Sequence, residues 1–463
     1  MANLKKTMFR EYDLRGKVAD DELNESTVEI IAKAYGTMLV RRNIDQAALG
    51  YDFRECSQRF HDAFIRGLTS TGVNIIDLGM ILTPMMYSAQ YHYNTRGGAM
   101  ITASHNPNGW SGFKLALGFS HTLVPEEMKE IYGLTVSEDF VSGHGLVRKE
   151  DFLPIYTEDL LKRIKLAKPM KVVVNTGNGT ASAFVPGILK KAGCEVVEIY
   201  TDLNWDFPRY YPNPSLVEMM EDTGKKVLEA GADIGLAFDG DGDRLGATDE
   251  KGTNIFPDQF LILLARQVLS QNPGSKIIFD VKATQALDDD IRAHGGNPIM
   301  WITGHSYIKA KLWEEKAPLA GEKSGHIFFG DPVYYGFDDG VFTALRLLDY
   351  LSSQNQTFSQ IMSTIPQYVT TPTLHVDCAD EVKYQVVEKL TQEFKNDGYE
   401  VNDINGARVK FPQGWGLVRA SSNLPVLVMV FEAKNNEGVD EIKQIFHSKM
   451  DKYSEISKEW KSG

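Results

Sequence analysis

The chain has 463 residues, of which 43% are hydrophobic and 24% are charged, and its formal net charge is -13 at pH 7. This composition is ordinary for a globular protein. The acidic balance excludes partners that need a basic face, such as nucleic acid or an anionic membrane. A phosphorylated ligand would therefore have to be held by local clusters of arginine and lysine. The length predicts about three domains, at roughly 150 residues each.

The cysteines, Cys56, Cys194 and Cys378, are odd in number and widely spaced. They fit neither a disulfide framework nor a zinc motif, so we expect a reducing compartment. Residues 1–15 are charged and lack the apolar centre of a signal peptide. No apolar run approaches the ~20 residues of a membrane span. We therefore expect a cytoplasmic protein.

A unit of strand, polar turn, helix, glycine and second strand occurs three times along the chain. Its copies span residues 47–77, 171–197 and 276–299. The spacing suits a three-turn helix that ends at a glycine. Strands that alternate with helices predict largely parallel sheets with helices on both faces. We predict three similar mixed α/β domains; the alternative is one large α/β domain in which the glycines coincide by chance.

The segment after residue 368 follows a different pattern, with strands grouped between two helices. This grouping predicts a smaller α+β domain at the C-terminal end. We expect domains at 1–152, 153–254, 255–368 and 369–463, with a hinge near 368–372. Because the connecting segments are neither long nor of low complexity, we expect the four domains to pack around a central cleft.

The first candidate for chemistry is the stretch 102–107, Thr-Ala-Ser-His-Asn-Pro, which is followed by Lys114. Ser104 does not lie in a Gly-x-Ser-x-Gly motif, so a hydrolase nucleophile elbow is disfavoured. Neighbouring side chains usually diverge, so the sequence does not imply a ready pair of Ser104 and His105. The alternative for this stretch is an Asx-Pro turn whose hydroxyl only caps the backbone.

The second candidate begins where the apolar strand 234–238 ends, with Asp-Gly-Asp-Gly-Asp at 239–243. Glycine lets the backbone curl, so the three carboxylates can converge on one cation. Oxygen ligands favour Mg²⁺, Mn²⁺ or Ca²⁺ over zinc. An EF-hand is disfavoured because Arg244 stands where a glycine is required and because a strand precedes the loop. Room for phosphate oxygens suits Mg²⁺, whereas a solvated turn would leave three carboxylates repelling one another.

Polar side chains also follow the strands of the third repeat. Lys282 ends its first strand, and the stretch 303–306 follows the next. Ligands in α/β folds bind at the carboxyl ends of strands, so topology places both near a ligand. In the loop that follows, Glu322 and Ser324 lie at alternate positions and suit two neighbouring hydroxyl groups. The alternative for this loop is a plain hairpin turn.

The last candidate is the stretch 419–425, Arg-Ala-Ser-Ser-Asn-Leu-Pro, in the C-terminal domain. An arginine beside short polar side chains and free backbone amides makes a good phosphate cradle. The alternative is a polar turn at the edge of a strand. Together with Ser104, this stretch would provide a second place for a phosphate group.

These motifs, which cover nearly the whole chain, resemble those of the α-D-phosphohexomutases, most of all the bacterial members that act on mannose and glucose phosphates. The resemblance implies an isomerase that interconverts hexose 1-phosphate and hexose 6-phosphate through a phosphoserine and a hexose 1,6-bisphosphate. It implies one Mg²⁺ per chain, hexose 1,6-bisphosphate as activator, and a hexose phosphate as substrate. We expect a monomer or weak homodimer that binds neither nucleic acid nor membrane.

The resemblance also assigns a role to each candidate residue of this sequence. The catalytic residues would be Ser104, Arg15, Lys114 and His326, of which Lys114 and His326 are the candidates for general acid and base. The metal ligands would be Ser104, Asp239, Asp241 and Asp243. The substrate-binding residues would be Tyr12, His105, Arg244, Lys282, Gly304, His305, Glu322 and Ser324. The phosphate-binding residues would be Arg419, Ser421, Ser422 and Asn423.

Sugar preference is the least determined part of this interpretation. Ser422 and Asn423 stand where the family usually has Asn and Thr. Glu322 and Ser324 would bind the 3- and 4-hydroxyls, which glucose and mannose share. A phosphoglucosamine mutase is the nearest alternative, but its first segment usually reads Gly-Thr-Asp-Gly-Ile-Arg-Gly, whereas residues 10–16 read Arg-Glu-Tyr-Asp-Leu-Arg-Gly. Outside the family, the alternatives are a metal-dependent sugar phosphatase and a non-catalytic sugar-phosphate sensor.

Overall fold

Four β-sheets follow one another along the part of the chain that the structure describes, residues 4–422 and 424–462. The structure is a computed structural model. Its first three sheets mix parallel and antiparallel strands, and its fourth is antiparallel throughout. This architecture confirms the predicted fold class of three similar α/β domains followed by an α+β domain.

The first sheet has six strands and belongs to the N-terminal domain. After a 3-10 turn (Lys6–Met8), the elements are β1 (Leu14–Lys17), α1 (Glu25–Arg41), β2 (Gln46–Tyr51), α2 (Ser57–Thr69), β3 (Asn74–Met80), α3 (Thr83–His92), β4 (Gly97–Ile101), β5 (Trp110–Leu117), α4 (Pro125–Ser137) and β6 (Val147–Lys149). Their order across the sheet is β1-β5-β4-β2-β3-β6. Asn24 begins α1 with a capping box, since its side chain accepts from the backbone N–H of Thr27 and the Thr27 hydroxyl accepts from that of Asn24.

The second sheet has five strands in the order β11-β10-β9-β7-β8. The elements of this domain are α5 (Leu153–Leu161), β7 (Lys171–Asn175), a 3-10 turn (Thr180–Ala183), α6 (Val185–Lys191), β8 (Glu195–Ile199), α7 (Val217–Ala230), β9 (Ile234–Phe238), β10 (Leu245–Thr248) and β11 (Asn254–Ile255). The division of the chain at residues 152, 254 and 368 stays a prediction, and the second of these points falls inside β11.

The third sheet has four strands in the order β13-β12-β14-β15. The elements of this domain are α8 (Pro257–Gln271), β12 (Lys276–Asp280), α9 (Gln285–Ala293), β13 (Asn297–Trp301), α10 (His305–Glu315), β14 (Leu319–Gly321), β15 (Ile327–Phe329), α11 (Gly340–Ser352) and α12 (Phe358–Met362).

The fourth sheet has seven strands, and two long helices pack on it. Its elements are β16 (Val369–Thr370), β17 (Leu374–Asp377), α13 (Lys383–Asn396), β18 (Val401–Asn402), β19 (Ala407–Lys410), β20 (Gly414–Ala420), β21 (Val426–Ala433), α14 (Asn436–Met450) and β22 (Lys461–Ser462). The order is β18-β19-β20-β21-β17-β22, and β16 pairs with β21. The expected hinge segment, 368–372, therefore includes β16, which is hydrogen-bonded to β21 of the C-terminal sheet.

A four-strand unit is common to the first three sheets. It reads β3-β2-β4-β5 in the first, β8-β7-β9-β10 in the second and β13-β12-β14-β15 in the third. In each copy three neighbouring strands are parallel and the last is antiparallel. The glycine predicted to follow each helix has positive φ in all three copies, at Gly72, Gly193 and Gly295. Such a left-handed residue ends a helix most easily when it lacks a Cβ.

Apolar packing joins the first three domains more closely than it joins the fourth. One large core contains fully buried residues from each of the three, such as Met86, Leu236 and Phe279. The C-terminal domain has its own core, and a small cluster that includes Val281 and Trp415 connects it to the third domain. The three cysteines are buried free thiols. None of the helices within the described ranges is both long and apolar enough to cross a membrane.

Candidate active site

The loops that the sequence marks for chemistry occupy one topological position. Residues 102–109 connect β4 to β5, residues 239–244 connect β9 to β10, and residues 322–326 connect β14 to β15. Each is therefore the turn between the last parallel strand and the antiparallel strand of a four-strand unit. We name them the serine loop, the aspartate loop and the glutamate loop. The three loops converge on one cleft, which Ser104, Arg244 and Glu322 line together.

One cleft between the domains contains most of the predicted site residues. Those that line it are Tyr12, Arg15, Ser104, His105, Lys114, Arg244, Lys282, Gly304, His305, Glu322, Ser324, His326, Arg419, Ser421 and Ser422. The predicted phosphate-binding residue Asn423 lies outside the described residues. The cleft has a free volume of about 170 Å³, below the ~300–1,000 Å³ of most ligand pockets.

Ser104 is the buried centre of the serine loop. Its φ is +50°, in the left-handed region, and its backbone N–H donates to the Thr102 hydroxyl over 2.8 Å. Its own Oγ donates to Asp239 Oδ2 over 2.7 Å and lies 3.1 Å from His105 Nδ1. The sequence did not imply this contact with His105. The left-handed backbone at Ser104 turns the two neighbouring side chains to the same side, so the expectation that they diverge is wrong.

Two arginines, Arg15 and Arg54, bind backbone carbonyl oxygens of the serine loop. Arg15 donates to the Ala103 carbonyl oxygen over 2.5 Å and is itself paired with Asp13 over 2.8 Å. Arg54 donates to the carbonyl oxygens of Ser104 (2.8 Å), Asn106 (2.7 Å) and Pro107 (3.1 Å). The sequence analysis missed Arg54. It follows the parallel strand β2 as Lys282 follows β12, and functional groups tend to lie at this edge of such sheets, so its position could have marked it.

The three carboxylates of the aspartate loop lie directly beneath Ser104 and are fully buried. Ligand atoms of Asp239, Asp241 and Asp243 all lie within 4.8 Å of one another. Asp239 Oδ1 accepts from the backbone N–H groups of Asp243 and Arg244, each over 3.1 Å. Among the described residues, Oδ1 of Asp241 and Oδ1 of Asp243 have no hydrogen-bond partner. Buried carboxylate oxygens without a donor fit a divalent cation, for which an all-oxygen set favours Mg²⁺.

Lys114 is the cation that compensates these carboxylates in the structure. Its Nζ lies 2.8 Å from Asp241 Oδ2 and also contacts Asp243 Oδ2. Burial by itself would lower the pKa of Lys114, but Asp241 and Asp243 outweigh it and raise that pKa. An ammonium group held in this way is a poor base, and its position suits neutralisation of negative charge.

His326 connects the glutamate loop to the aspartate loop. Its Nε2 accepts from Arg244 Nε over 2.9 Å, while its Nδ1 lies 2.9 Å from Asp338 Oδ2. Asp338 in turn lies 3.5 Å from Nζ of the buried Lys309, which also donates to the Tyr87 hydroxyl. The sequence analysis missed Asp338 and Lys309, because a lysine on a helix and an aspartate before one are usually read as solvated or capping residues.

The glutamate loop points two acceptors into the cleft. Glu322 Oε2 accepts from the Ser324 hydroxyl over 2.9 Å, and Oε1 accepts from the Gly304 N–H over 3.0 Å. Both ring nitrogens of the buried His305 lack a hydrogen-bond partner among the described residues. Burial, with Lys309 nearby, lowers the pKa of His305 well below its ordinary value. A neutral imidazole with open nitrogens suits a hydroxyl group of a ligand.

The cradle on the C-terminal domain also lines the cleft, through Arg419, Ser421 and Ser422. Arg419 donates to the Ala420 carbonyl oxygen over 2.9 Å, and its buried Nε has no hydrogen-bond partner within the described ranges. The Ser422 hydroxyl lies 3.5 Å from that of Tyr12, so this cradle meets the N-terminal domain. His375 also lines the cleft, beside Lys282 and Arg419. The sequence analysis missed His375, which has no motif around it.

Comparisons with known proteins identify the class of fold. The models of the four phosphoglucomutase/phosphomannomutase domains match in chain order: alpha/beta/alpha domain I at residues 6–142, domain II at 154–252, domain III at 256–368 and the C-terminal domain at 374–448. A solved phosphoglucomutase/phosphomannomutase family protein from Burkholderia thailandensis superposes with a TM-score of 0.90 at 37% identity, over 97% of this chain and 98% of that one.

Curated relatives agree over nearly their full lengths. A phosphomannomutase/phosphoglucomutase of Pseudomonas aeruginosa is 40% identical over 444 residues, which is 96% of this chain and 95% of that protein. A phosphoglucomutase of Neisseria gonorrhoeae is 37% identical over 450 residues, 96% of this chain and 97% of that protein. The chain therefore belongs to the phosphoglucomutase/phosphomannomutase family of the α-D-phosphohexomutases, and it is an isomerase.

Proposed function

We propose that the chain interconverts hexose 1-phosphate and hexose 6-phosphate, with mannose and/or glucose as the sugar, through a phosphoserine at Ser104 and a hexose 1,6-bisphosphate. The hydrogen bond between Ser104 Oγ and Asp239, 2.7 Å long, carries this proposal. This contact joins the proposed nucleophile to the proposed cation-binding loop, and Ser104 and the Arg419 cradle line the same cleft. A mutase needs two phosphate sites, because its intermediate has two phosphate groups.

The metal ligands in this proposal are Asp239, Asp241 and Asp243, with a phosphate oxygen on Ser104. When bound, Mg²⁺ would neutralise charge on the phosphoryl group during its transfer. Lys114 and Arg244 add positive charge on the same side of the cleft. Positioning and charge neutralisation supply most of the catalysis in phosphoryl transfer.

Each half-reaction moves one phosphoryl group and one proton. In the first, the bond between phosphorus and Ser104 Oγ breaks, and a bond forms from phosphorus to the free hydroxyl oxygen of the sugar phosphate. The sugar hydroxyl loses its proton and Ser104 Oγ gains one. His326 is a better candidate for the base than the charged Lys114, but its Nε2 would first have to release the hydrogen bond that it accepts from Arg244. In the second half-reaction the other phosphoryl group returns to Ser104.

Between the half-reactions the bisphosphate has to exchange its two ends. The cleft, at about 170 Å³, is smaller than most ligand pockets, so a hexose bisphosphate would need more room to turn. We propose that the C-terminal domain opens at 368–372 to permit this movement, consistent with its separate core and small apolar contact with the third domain. We further propose that the protein is cytoplasmic and is a monomer or a weak homodimer. Light scattering would measure its oligomeric state.

A turnover panel tests the proposed function. Mannose 1-phosphate, glucose 1-phosphate and glucosamine 1-phosphate are each supplied with Mg²⁺ and a trace of glucose 1,6-bisphosphate, while 6-phosphate and inorganic phosphate are followed. Comparable isomerisation of the mannose and glucose substrates, abolished in Ser104→Ala, is the expected result. A marked preference for glucosamine would assign another sugar, whereas phosphate release without isomerisation would indicate a phosphatase. Binding without turnover would indicate a sensor.

A further inference from the structure

Arg408 of the C-terminal domain binds the turn that carries Lys282 in the third domain. Arg408 lies on β19 and is buried. Its Nη1 donates to the carbonyl oxygen of Val281 over 2.5 Å and to that of Ala283 over 2.9 Å. These are the two carbonyl groups on either side of Lys282. One guanidinium of the C-terminal domain therefore fixes the backbone on both sides of a residue that lines the cleft.

The Arg408 guanidinium is itself held in a rigid setting. It lies over the ring of Trp415, 3.5 Å from the ring centroid. The Trp415 Nε1–H donates to Glu432 Oε1 over 2.8 Å, and the same oxygen accepts from the backbone N–H of Gln285 over 2.9 Å. The C-terminal domain thus contacts the segment 281–285 through two carbonyl oxygens and one amide.

Apolar packing supports the same contact. The Val281 side chain belongs to a cluster with Trp415, Leu417 and Val430 of the C-terminal domain. Lys282, next in sequence, turns the other way and lines the cleft with its Nζ 3.3 Å from Asp280 Oδ2. Val281, which packs on the C-terminal domain, and Lys282, which lines the cleft, are consecutive residues of this turn. Any movement of the domain at Val281 is therefore transmitted directly to Lys282.

The contact is well suited to a two-state movement. Burial lowers the pKa of Arg408 to about 10, so it stays a cation at neutral pH. The acceptors of its Nη1 are backbone carbonyl oxygens, which repay only part of the cost of burying a charge. Opening would return Arg408 to water and release the Lys282 turn, whereas closing would fix that turn. The open state would gain the hydration of Arg408, and the closed state would gain the hydrogen bonds to the Lys282 turn. Neither state would then be strongly favoured, as a hinged domain requires.

We propose that Arg408 is a positioning residue, which couples closure of the C-terminal domain to the placement of Lys282 against a phosphate group of the substrate. This inference rests on the proposed function, since it names what closure does for that site. Lys282 and Arg419 line the same cleft. Arg408 provides the link between them, because it and Arg419 belong to adjacent strands of one sheet.

A double-mutant cycle tests this coupling. The affinity for glucose 1-phosphate is measured by calorimetry, without turnover, in the full chain and in Arg408→Gln, Lys282→Met and the double variant. Arg408→Gln should weaken binding by about tenfold in the parent chain and by less than about twofold in Lys282→Met, since residues in contact couple and distant ones add. In turnover, KM should rise while kcat changes less, as expected when binding shared by ground and transition states is lost.

Two further variants keep the test decisive. Lys410→Gln removes an exposed cation on the same strand, which pairs with Glu400 over 3.0 Å, and should leave affinity within about twofold. Arg408→Lys keeps a buried cation with fewer fixed donors and should give an intermediate affinity; it replaces Arg408→Gln in the cycle if the latter does not fold. Equal losses in both Lys282 backgrounds, or unchanged affinity in Arg408→Gln, would overturn the inference. A lack of isomerisation by the parent chain would contradict the proposed function alone.

Discussion

The backbone of Gly240 packs directly against the carbonyl group of Ser104: a Cβ at position 240 would lie 2.4 Å from that oxygen. Real Cβ contacts essentially never come so close, so the glycine is what lets the aspartate loop and the serine loop touch. The same carbonyl oxygen accepts from Arg54 on its other side. The serine loop is therefore fixed between an arginine and a glycine of different domains.

Gly240→Ala should separate the two loops and reduce kcat while the fold persists. A displacement of about 1 Å between the reacting groups costs on the order of a hundredfold in rate. The measurement is kcat for glucose 1-phosphate, with the thermal midpoint as a check on folding. Gly187→Ala is the matched control, because a Cβ at that position of α6 meets no atom within 4 Å. Equal activity of the two alanine variants would show that the close contact has no catalytic consequence.

Arg54→Met should destabilise the serine loop more than any neighbouring surface change. It would leave carbonyl oxygens of Ser104, Asn106 and Pro107 without this donor, and each buried acceptor left unsatisfied costs about 1–3 kcal/mol. We expect faster amide hydrogen exchange across 103–109 and a lower kcat. Arg59→Met, on the helix α2 that follows Arg54, removes a half-exposed ion pair with Glu25 and should change neither. Slow exchange in Arg54→Met would contradict this role.

The strands and helices were predictable because each repeat buries its central strands on both faces, and such strands have to be apolar throughout. The centres of β7 and β12 are covered on both faces, and their residues 172–174 and 277–279 are uniformly apolar and fully buried. The site loops were also predictable, because polar residues that follow such strands have few structural reasons to be there. The equivalence of the serine, aspartate and glutamate loops was not predicted, since the fourth, antiparallel strand of the unit has no distinctive sequence pattern.

What the sequence could not supply is the set of partners that only tertiary packing brings together. Arg408 meets Val281 across 127 residues, and Arg54 meets Ser104 across 50. Neither separation follows from a local pattern. The contact between Ser104 and His105 was missed for a local reason. Neighbouring side chains diverge in ordinary extended or helical backbone, but Ser104 has a φ of +50°.

Mg²⁺ should stabilise the protein through the aspartate loop. The buried Oδ1 atoms of Asp241 and Asp243 have no hydrogen-bond partner within the described ranges, so a cation would relieve their repulsion and raise the thermal midpoint by mass action. We expect this rise to be lost in Asp243→Asn, and turnover to stop on chelation and to return with Mg²⁺.

Glu250→Gln is the matched control for this measurement. Glu250 lies at the twelfth position counted from Asp239, where an EF-hand would have its bidentate ligand. In the structure it accepts instead from the backbone N–H and hydroxyl of Ser359, over 3.0 and 2.5 Å. Its variant should keep the full response to Mg²⁺. Loss of the response in Glu250→Gln, or its survival in Asp243→Asn, would exclude the three aspartates as the cation site.

His375 should make the protein less stable in mild acid. Burial, together with the positive charges of Lys282 and Arg419, lowers its pKa from 6.5 to about 4. The unfolded chain therefore takes up this proton near pH 6.5, and the folded chain only near pH 4. Stability is unaffected above pH 6.5 and falls as the pH drops from 6.5 to 4, by at most about 3 kcal/mol, since each pKa unit corresponds to ~1.4 kcal/mol.

Thermal midpoints between pH 7.5 and 5 measure this contribution. The parent chain should lose more stability over this range than His375→Asn, whereas His447→Asn, which changes an exposed histidine, should follow the parent. Inorganic phosphate should shrink the loss in the parent, because an anion beside Lys282 and Arg419 favours the protonated imidazole and raises the pKa of His375. Parallel curves for the parent and His375→Asn would mean that folding does not lower the pKa of His375, which would contradict the prediction. A phosphate effect that persists in His375→Asn would place the responsive group elsewhere in the cleft.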